Sequence, residues 1–380
     1  MRLLALISIV VLVGACGGDS TPATSDGRPW IEEDVTFSFG KDELFGVLTA
    51  PSHEGPHPAI VLVTGAASTS TGLRDGASSR ALISFAHTMV LDGYAVLRYD
   101  PPGVGQSTGQ AGVEIMEDRA AEAMAALQYL RARADLRPDK VGMWGASQGS
   151  WVIALAAAEH PEDVAFIISV SGAGLSVADQ QVWGIETQTR AAGLGEEDVT
   201  KAGLLGRLLI DWQLTDPIYQ AAAQSSVDTL GPGPWADLAE LVYPADGSEP
   251  SETLTQVITI LESVQDESWA DALYLSELYL PRLRGATPDQ IAALRGAVSA
   301  SLMTDPKDFM TKVQCPVLAF FGENDIVQPS ETSAGLFEEY LTTAGNDDFT
   351  IVAMSGVGHD INWTTPGYSE EVSRWLKALA

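Results

Sequence analysis

The stretch Val141-Gly-Met-Trp144-Gly-Ala-Ser147-Gln-Gly149-Ser-Trp151-Val-Ile-Ala-Leu-Ala-Ala-Ala158 decides the fold. Its first residues suit a short buried strand, and the apolar run from Trp151 onward suits a helix. Gly-x-Ser-x-Gly stands between them, with room only for a sharp turn. In such a strand, turn, helix arrangement the serine Oγ is lifted above the sheet, and both glycines are needed because neighbouring backbone crowds the strained residue. The pattern occurs again at Gly105-Gln-Ser107-Thr-Gly109. With 36 glycines in 380 residues the bare motif is weak, so its surroundings must choose. Ser107 lies several residues beyond its strand, after Asp100-Pro-Pro-Gly103, in what reads as a long loop. Ser147 is therefore the candidate nucleophile.

Working outward, residues 59–63, 94–99, 140–144, 164–170, 317–321 and 349–353 are nearly continuous apolar runs, the pattern of strands covered on both faces. Helical spacing over 79–91, 114–133, 148–160 and 369–379 alternates with them. Residues 35–39 and 44–49 predict an antiparallel hairpin. The fold class is α/β, a mostly parallel central sheet flanked by helices. Alternation stops between 175 and 310, where helical segments are expected at 177–192, 198–214, 252–264 and 288–303, the last with Thr287 as N-cap before Pro288. This reads as an inserted helical cap. The expected organisation is core at 30–175, cap at 176–310 and core again at 311–380.

Asp and Glu number 51 against 21 Lys and Arg, a net charge of −30. Such a chain repels phosphate backbones, which excludes nucleic acid as a partner. Residues 176–310 alone hold 21 acidic and 7 basic side chains, read as a solvated acidic surface, with repulsion of anionic substrates as the functional alternative. Two cysteines and five histidines make neither a disulfide framework nor a Cys-rich metal site, and no cofactor is implied.

A serine nucleophile needs an adjacent base, normally His oriented by a carboxylate. His53 and His57 sit in a loop before the third strand, His87 fits packing within a helix, and His160 ends one. His359 lies in Ser355-Gly-Val-Gly-His-Asp360 after the last strand, at the carboxyl edge of the sheet where catalytic groups gather. It is the candidate base. The acid belongs on the loop after another strand, and Gly322-Glu-Asn-Asp325 offers Asp325, with Glu323 as the alternative. Asp360 is read as structural. Two amides should hold the developing oxyanion: that of Gln148, at the start of a helix, and one from the loop after the third strand, Ala66 or its neighbour Ala67.

Residues 1–15 carry Arg2, an apolar run and then small residues, too short to span a bilayer but suited to a secretory signal. Val13-Gly-Ala-Cys16 resembles the lipobox of bacterial lipoproteins, which implies cleavage before Cys16, lipid attachment to its sulfur, and an exported protein held to the cell envelope by that anchor alone. Cys315 is then left without a disulfide partner. Residues 16–29 are small and polar, as in a flexible tether.

Over residues 35–175 and 312–380 the chain resembles the α/β-hydrolase superfamily. The resemblance rests on the elbow at Ser147, the Gly322-x-x-Asp325 turn, the Gly358-His359 loop, and Asp100-Pro-Pro-Gly-Val-Gly-Gln-Ser107, which looks like a structural loop of the family. It is similar to exported bacterial esterases and serine-aminopeptidase-like hydrolases, although Gly65-Ala-Ala is separated from Arg74-Asp by extra residues and no His precedes Gly65. The resemblance implies hydrolysis of small carboxylic esters through an acyl-enzyme. Cleavage of short peptides or aminoacyl amides is the alternative, then thioesters. A non-catalytic binding lipoprotein is disfavoured because all three triad positions are filled. Trp183, Trp212, Trp235 and Trp269 lie in the cap, as its own core or as the lining of an acyl pocket.

Overall fold

The computed structural model describes residues 27–65, 76–110, 115–214, 217–244, 253–293, 295 and 299–379. Residues 1–15, expected as a secretory signal, Cys16, and Ala66 with its neighbour Ala67 lie outside the described residues.

Eight strands form one sheet: β1 (Trp30–Phe39), β2 (Asp42–Pro51), β3 (His57–Val63), β4 (Ala95–Tyr99), β5 (Leu136–Ala146), β6 (Ile167–Val170), β7 (Val317–Gly322) and β8 (Phe349–Met354). Their order is β1-β2-β4-β3-β5-β6-β7-β8. The hairpin β1–β2 is antiparallel and so is β2 against β4, while every other neighbouring pair is parallel. This is the α/β-hydrolase fold. Strands β1, β2, β3 and β5 begin earlier than their apolar patterns predict, β1 at Trp30 and β5 at Leu136 by the most. β5 pairs Leu136 with His57, passes through an irregularity, and resumes at Val141 opposite Ala59. The intervening Arg137-Pro-Asp-Lys140 carries no apolar signal.

In chain order the helices are α1 (Gly76–Leu91), α2 (Met116–Arg131), α3 (Gln148–Glu159), α4 (Val177–Ala191), α5 (Glu196–Gln213), α6 (Gln220–Leu230), α7 (Pro234–Val242), α8 (Leu254–Val264), α9 (Leu280–Gly285), α10 (Pro288–Ala293), α11 (Ser299–Leu302), α12 (Lys307–Met310), α13 (Ser330–Thr343) and α14 (Tyr368–Leu379). A 3₁₀ turn at Ser268–Leu273 and a π turn at Leu275–Tyr279 precede α9. Sequence patterning misses α6, α7, α9, α12 and α13. Helix α13 buries only Ser333, Phe337, Tyr340 and Leu341, a stripe too thin to stand out from the loop before it.

The described residues divide into two compact units, one of those up to 174 with those of 306–325 and from 330 onward, the other of those within 175–305 and 326–329. In the first, alternate strand residues Ile60, Leu62, Val96, Ile168 and Phe320 share one core with Phe85 and Met89 of α1 and Val372 and Leu376 of α14. The period of two is what delivers them to one face. Polar tips inside this core are paired, as burial demands: the Trp144 indole donates to Tyr368 Oη at 2.8 Å, and the Tyr94 hydroxyl donates to the Leu376 carbonyl at 3.1 Å. The second unit has its own core, including Leu204, Leu208, Leu238, Val257 and Leu261. Trp212 and Trp269 belong to that core and Trp235 packs partly buried against it. Thr287 caps α10 reciprocally with Gln290: its hydroxyl accepts from the Gln290 amide at 3.2 Å, and the Gln290 side chain accepts from the Thr287 amide at 2.9 Å. Among the described residues no helix is long and apolar enough to cross a membrane.

Candidate active site

Ser147 stands between the last residue of β5 and the first of α3, with φ 54° and ψ −122°. A side-chain-bearing residue there is strained and persists only because its surroundings over-determine it. They do so by close approach. A Cβ on Gly145 would run into the Gly149 carbonyl, and one on Gly149 would meet the Val63 and Thr64 carbonyls, the latter at 3.0 Å. Both motif glycines are thus required by space. The Ser147 amide donates to Val170 O at 2.8 Å, and Ser150 Oγ donates to Gly145 O at 2.9 Å, closing the turn.

The acid turn and the histidine loop are built on each other. Gly322, at the end of β7, has no room for a Cβ, which would lie 2.6 Å from the Val357 carbonyl. That contact lets the Asn324 amide donate to Val357 O at 2.8 Å. Asp325 follows, its side chain fully buried. The His359 loop is held from beneath by Ser171, whose hydroxyl donates to the His359 carbonyl at 2.8 Å. The outcome is a linear chain of side chains. Asp325 Oδ2 lies 2.7 Å from His359 Nδ1, and His359 Nε2 lies 3.1 Å from Ser147 Oγ. With Nδ1 protonated toward the carboxylate, Nε2 is free to take the serine proton. Gln148 opens α3, so its N–H has no acceptor within the helix and is available to a substrate oxyanion.

A family model matches most of the chain. The model of the X-Pro dipeptidyl-peptidase (S15 family) matches residues 40–344. The chain belongs to this family. It is a hydrolase of the serine type on an α/β-hydrolase fold. No curated protein matches it. Among solved structures, an α/β-hydrolase, GrgF, from a Penicillium species is 18% identical with TM-score 0.51, covering 92% of this chain and 97% of its own. A proline iminopeptidase from Mycobacterium smegmatis is 15% identical with TM-score 0.51, covering 91% and 98%. An esterase from Pyrococcus furiosus is 12% identical with TM-score 0.51, covering 94% and 96%. At these identities the likeness is one of fold.

Other polar residues of this member of the X-Pro dipeptidyl-peptidase family have different work. Ser107 Oγ donates to Asp100 O at 2.6 Å and accepts from the Phe45 amide at 2.9 Å, so it ties its loop to β2. Glu323 accepts from Ser355 Oγ at 2.7 Å on the exposed side of its turn, and Asp360 is exposed. His57 Nε2 lies 3.1 Å from His53 O, and His87 stacks on Trp30 at 4.3 Å. Among the described residues no group of His, Cys, Asp and Glu could hold a metal ion.

Two residues beside the site escape sequence reading. Ser171 has no motif to announce it, although it shares positive φ, 51°, with Ser147. Arg119 had a signal: it lies on the face of α2 that buries Met116, Ala120, Ala123 and Leu127, and a cation on an apolar stripe asks for a reason.

Proposed function

We propose that this protein hydrolyses carboxylic esters through an acyl-enzyme on Ser147. The observation behind it is the continuous relay from Asp325 through His359 to a serine held at positive φ. His359 Nε2 removes the Ser147 proton as Oγ attacks the carbonyl carbon, and the carbonyl π electrons move to oxygen. Asp325 holds the imidazolium that results. The oxyanion is met by the Gln148 amide and by the loop amide expected at Ala66. Collapse expels the alkoxide, which takes the proton from His359, and water repeats the sequence on the acyl-enzyme to release acid and free serine. An ester asks least of this machinery, because an amide leaves only once its nitrogen is protonated.

A second reading, cleavage of short peptides, has the family membership behind it. A matched panel decides between them: p-nitrophenyl acetate and butyrate against aminoacyl and X-Pro p-nitroanilides, all reporting nitroaromatic release. The proposal expects kcat/KM on the esters to exceed that on the anilides by about a hundredfold or more, roughly 3 kcal/mol of barrier. Faster anilide release overturns it in favour of the peptidase. We also propose that Cys16 carries a lipid anchor. Radiolabelled palmitate incorporated by the full chain and lost in Cys16→Ser supports this, and equal labelling of both contradicts it.

A further inference from the structure

Arg119 is only 6% exposed. Burying a guanidinium is costly unless its donors are used, and the partners it uses surround the nucleophile. One terminal nitrogen donates to the Thr64 carbonyl at 2.6 Å, and the other donates to the side-chain oxygen of Gln148. These acceptors stand on the two segments from which oxyanion donors are expected. Gln148 supplies its own amide. Thr64 O and Gly65 N–H belong to one planar peptide unit, so fixing the carbonyl fixes the orientation of that unit and the direction in which the chain leaves β3. This unit borders the site: a Cβ on Gly65 would lie 3.2 Å from Ser147 Cβ and 3.1 Å from Ala146 O.

We propose that Arg119 is a positioning residue for the oxyanion site, one planar cation that holds the Thr64–Gly65 peptide at the end of β3 and the start of α3 relative to each other. The proposal rests on the serine hydrolase reading above. Arginine suits the task because its fork presents two donors at fixed separation, which a lysine cannot. Oxyanion donors act by being in place before charge develops. Loosening them therefore weakens transition-state binding while leaving substrate binding nearly alone.

The test uses the full chain with p-nitrophenyl acetate as substrate and an alkyl trifluoromethyl ketone as the oxyanion mimic. Arg119→Gln is expected to lower kcat by about tenfold to a hundredfold with KM within about twofold, and to weaken the ketone in step with kcat/KM. Arg119→Lys recovers part of the loss. Gln148→Ala keeps the backbone amide but removes one end of the clamp. It loses less, and adds little in the Arg119→Gln background because both act on one unit. If Arg119→Gln does not fold, the Lys variant and Gln148→Ala carry the same test. A lowered melting temperature with unchanged kcat per phosphonate-titrated site, and unchanged ketone affinity, overturns the proposal and makes Arg119 a structural tie. A folded wild type that neither turns over ester nor takes phosphonate overturns the hydrolase reading itself, and this proposal with it.

Discussion

Asp325 and Glu323 sit two residues apart in one turn, and the turn separates their fates. The Asp325 side chain is fully buried and bonded to His359 Nδ1. Glu323 points to the exposed side, where Ser355 donates to it. A carboxylate that orients a catalytic histidine must be shielded and fixed, because its task is to select the tautomer with Nε2 unprotonated. Asp325→Asn is expected to lower kcat on p-nitrophenyl acetate by about ten-thousandfold, whereas Glu323→Gln should leave it within about twofold, as surface substitutions do. Steady-state kinetics on the two purified variants checks this. Equal losses would place the acid elsewhere in the turn.

At the scale of elements, the three residues proposed as nucleophile, acid and base all stand where a strand ends. β5 ends at Ala146 before Ser147, β7 ends at Gly322 before the acid turn, and β8 ends at Met354 before the His359 loop. That much was legible in the sequence, because continuous apolar runs followed at once by Gly-rich polar turns mark the carboxyl edge of a parallel sheet. Residues that bond across long separations were not legible. Ser171 meets His359 across 188 residues, and Arg119 meets Thr64 across 55. No local pattern encodes such pairs, and only the cost of a cation on the buried face of α2 hinted at one of them. Two other buried groups give the strands a pH dependence. Burial pushes the Cys315 thiol, just before β7, from 9.0 up to about 12, and the Tyr94 hydroxyl, just before β4, from 10.0 up to about 12. In the unfolded chain both lose their protons earlier. Their contribution is complete below the unfolded values and is lost as pH rises toward 12, on the order of 2–3 kcal/mol by pH 10.5. Thermal melts at pH 7.5 and 10.5 should show a fall in melting temperature that shrinks in Cys315→Ala. An equal fall in both proteins contradicts the assignment to the thiol.

At the scale of the whole molecule, each unit carries its own core, and Ser147, Asp325 and His359 all belong to the first. The helical unit was legible as a break in strand and helix alternation, yet its interior was not, because helices such as α6 bury a single residue, Ala223. Trp212 and Trp269 prove to be part of that unit's core. The central claim is that one serine in the entire chain becomes covalently acylated, and intact-protein mass spectrometry after treatment with an alkyl fluorophosphonate tests it most directly. The wild type and Ser107→Ala should each gain a single phosphonyl group, mapped by peptide digestion to Ser147, while Ser147→Ala gains none. Label appearing on Ser147→Ala to the same extent, or a folded wild type that stays unlabelled at saturating reagent, would contradict the account.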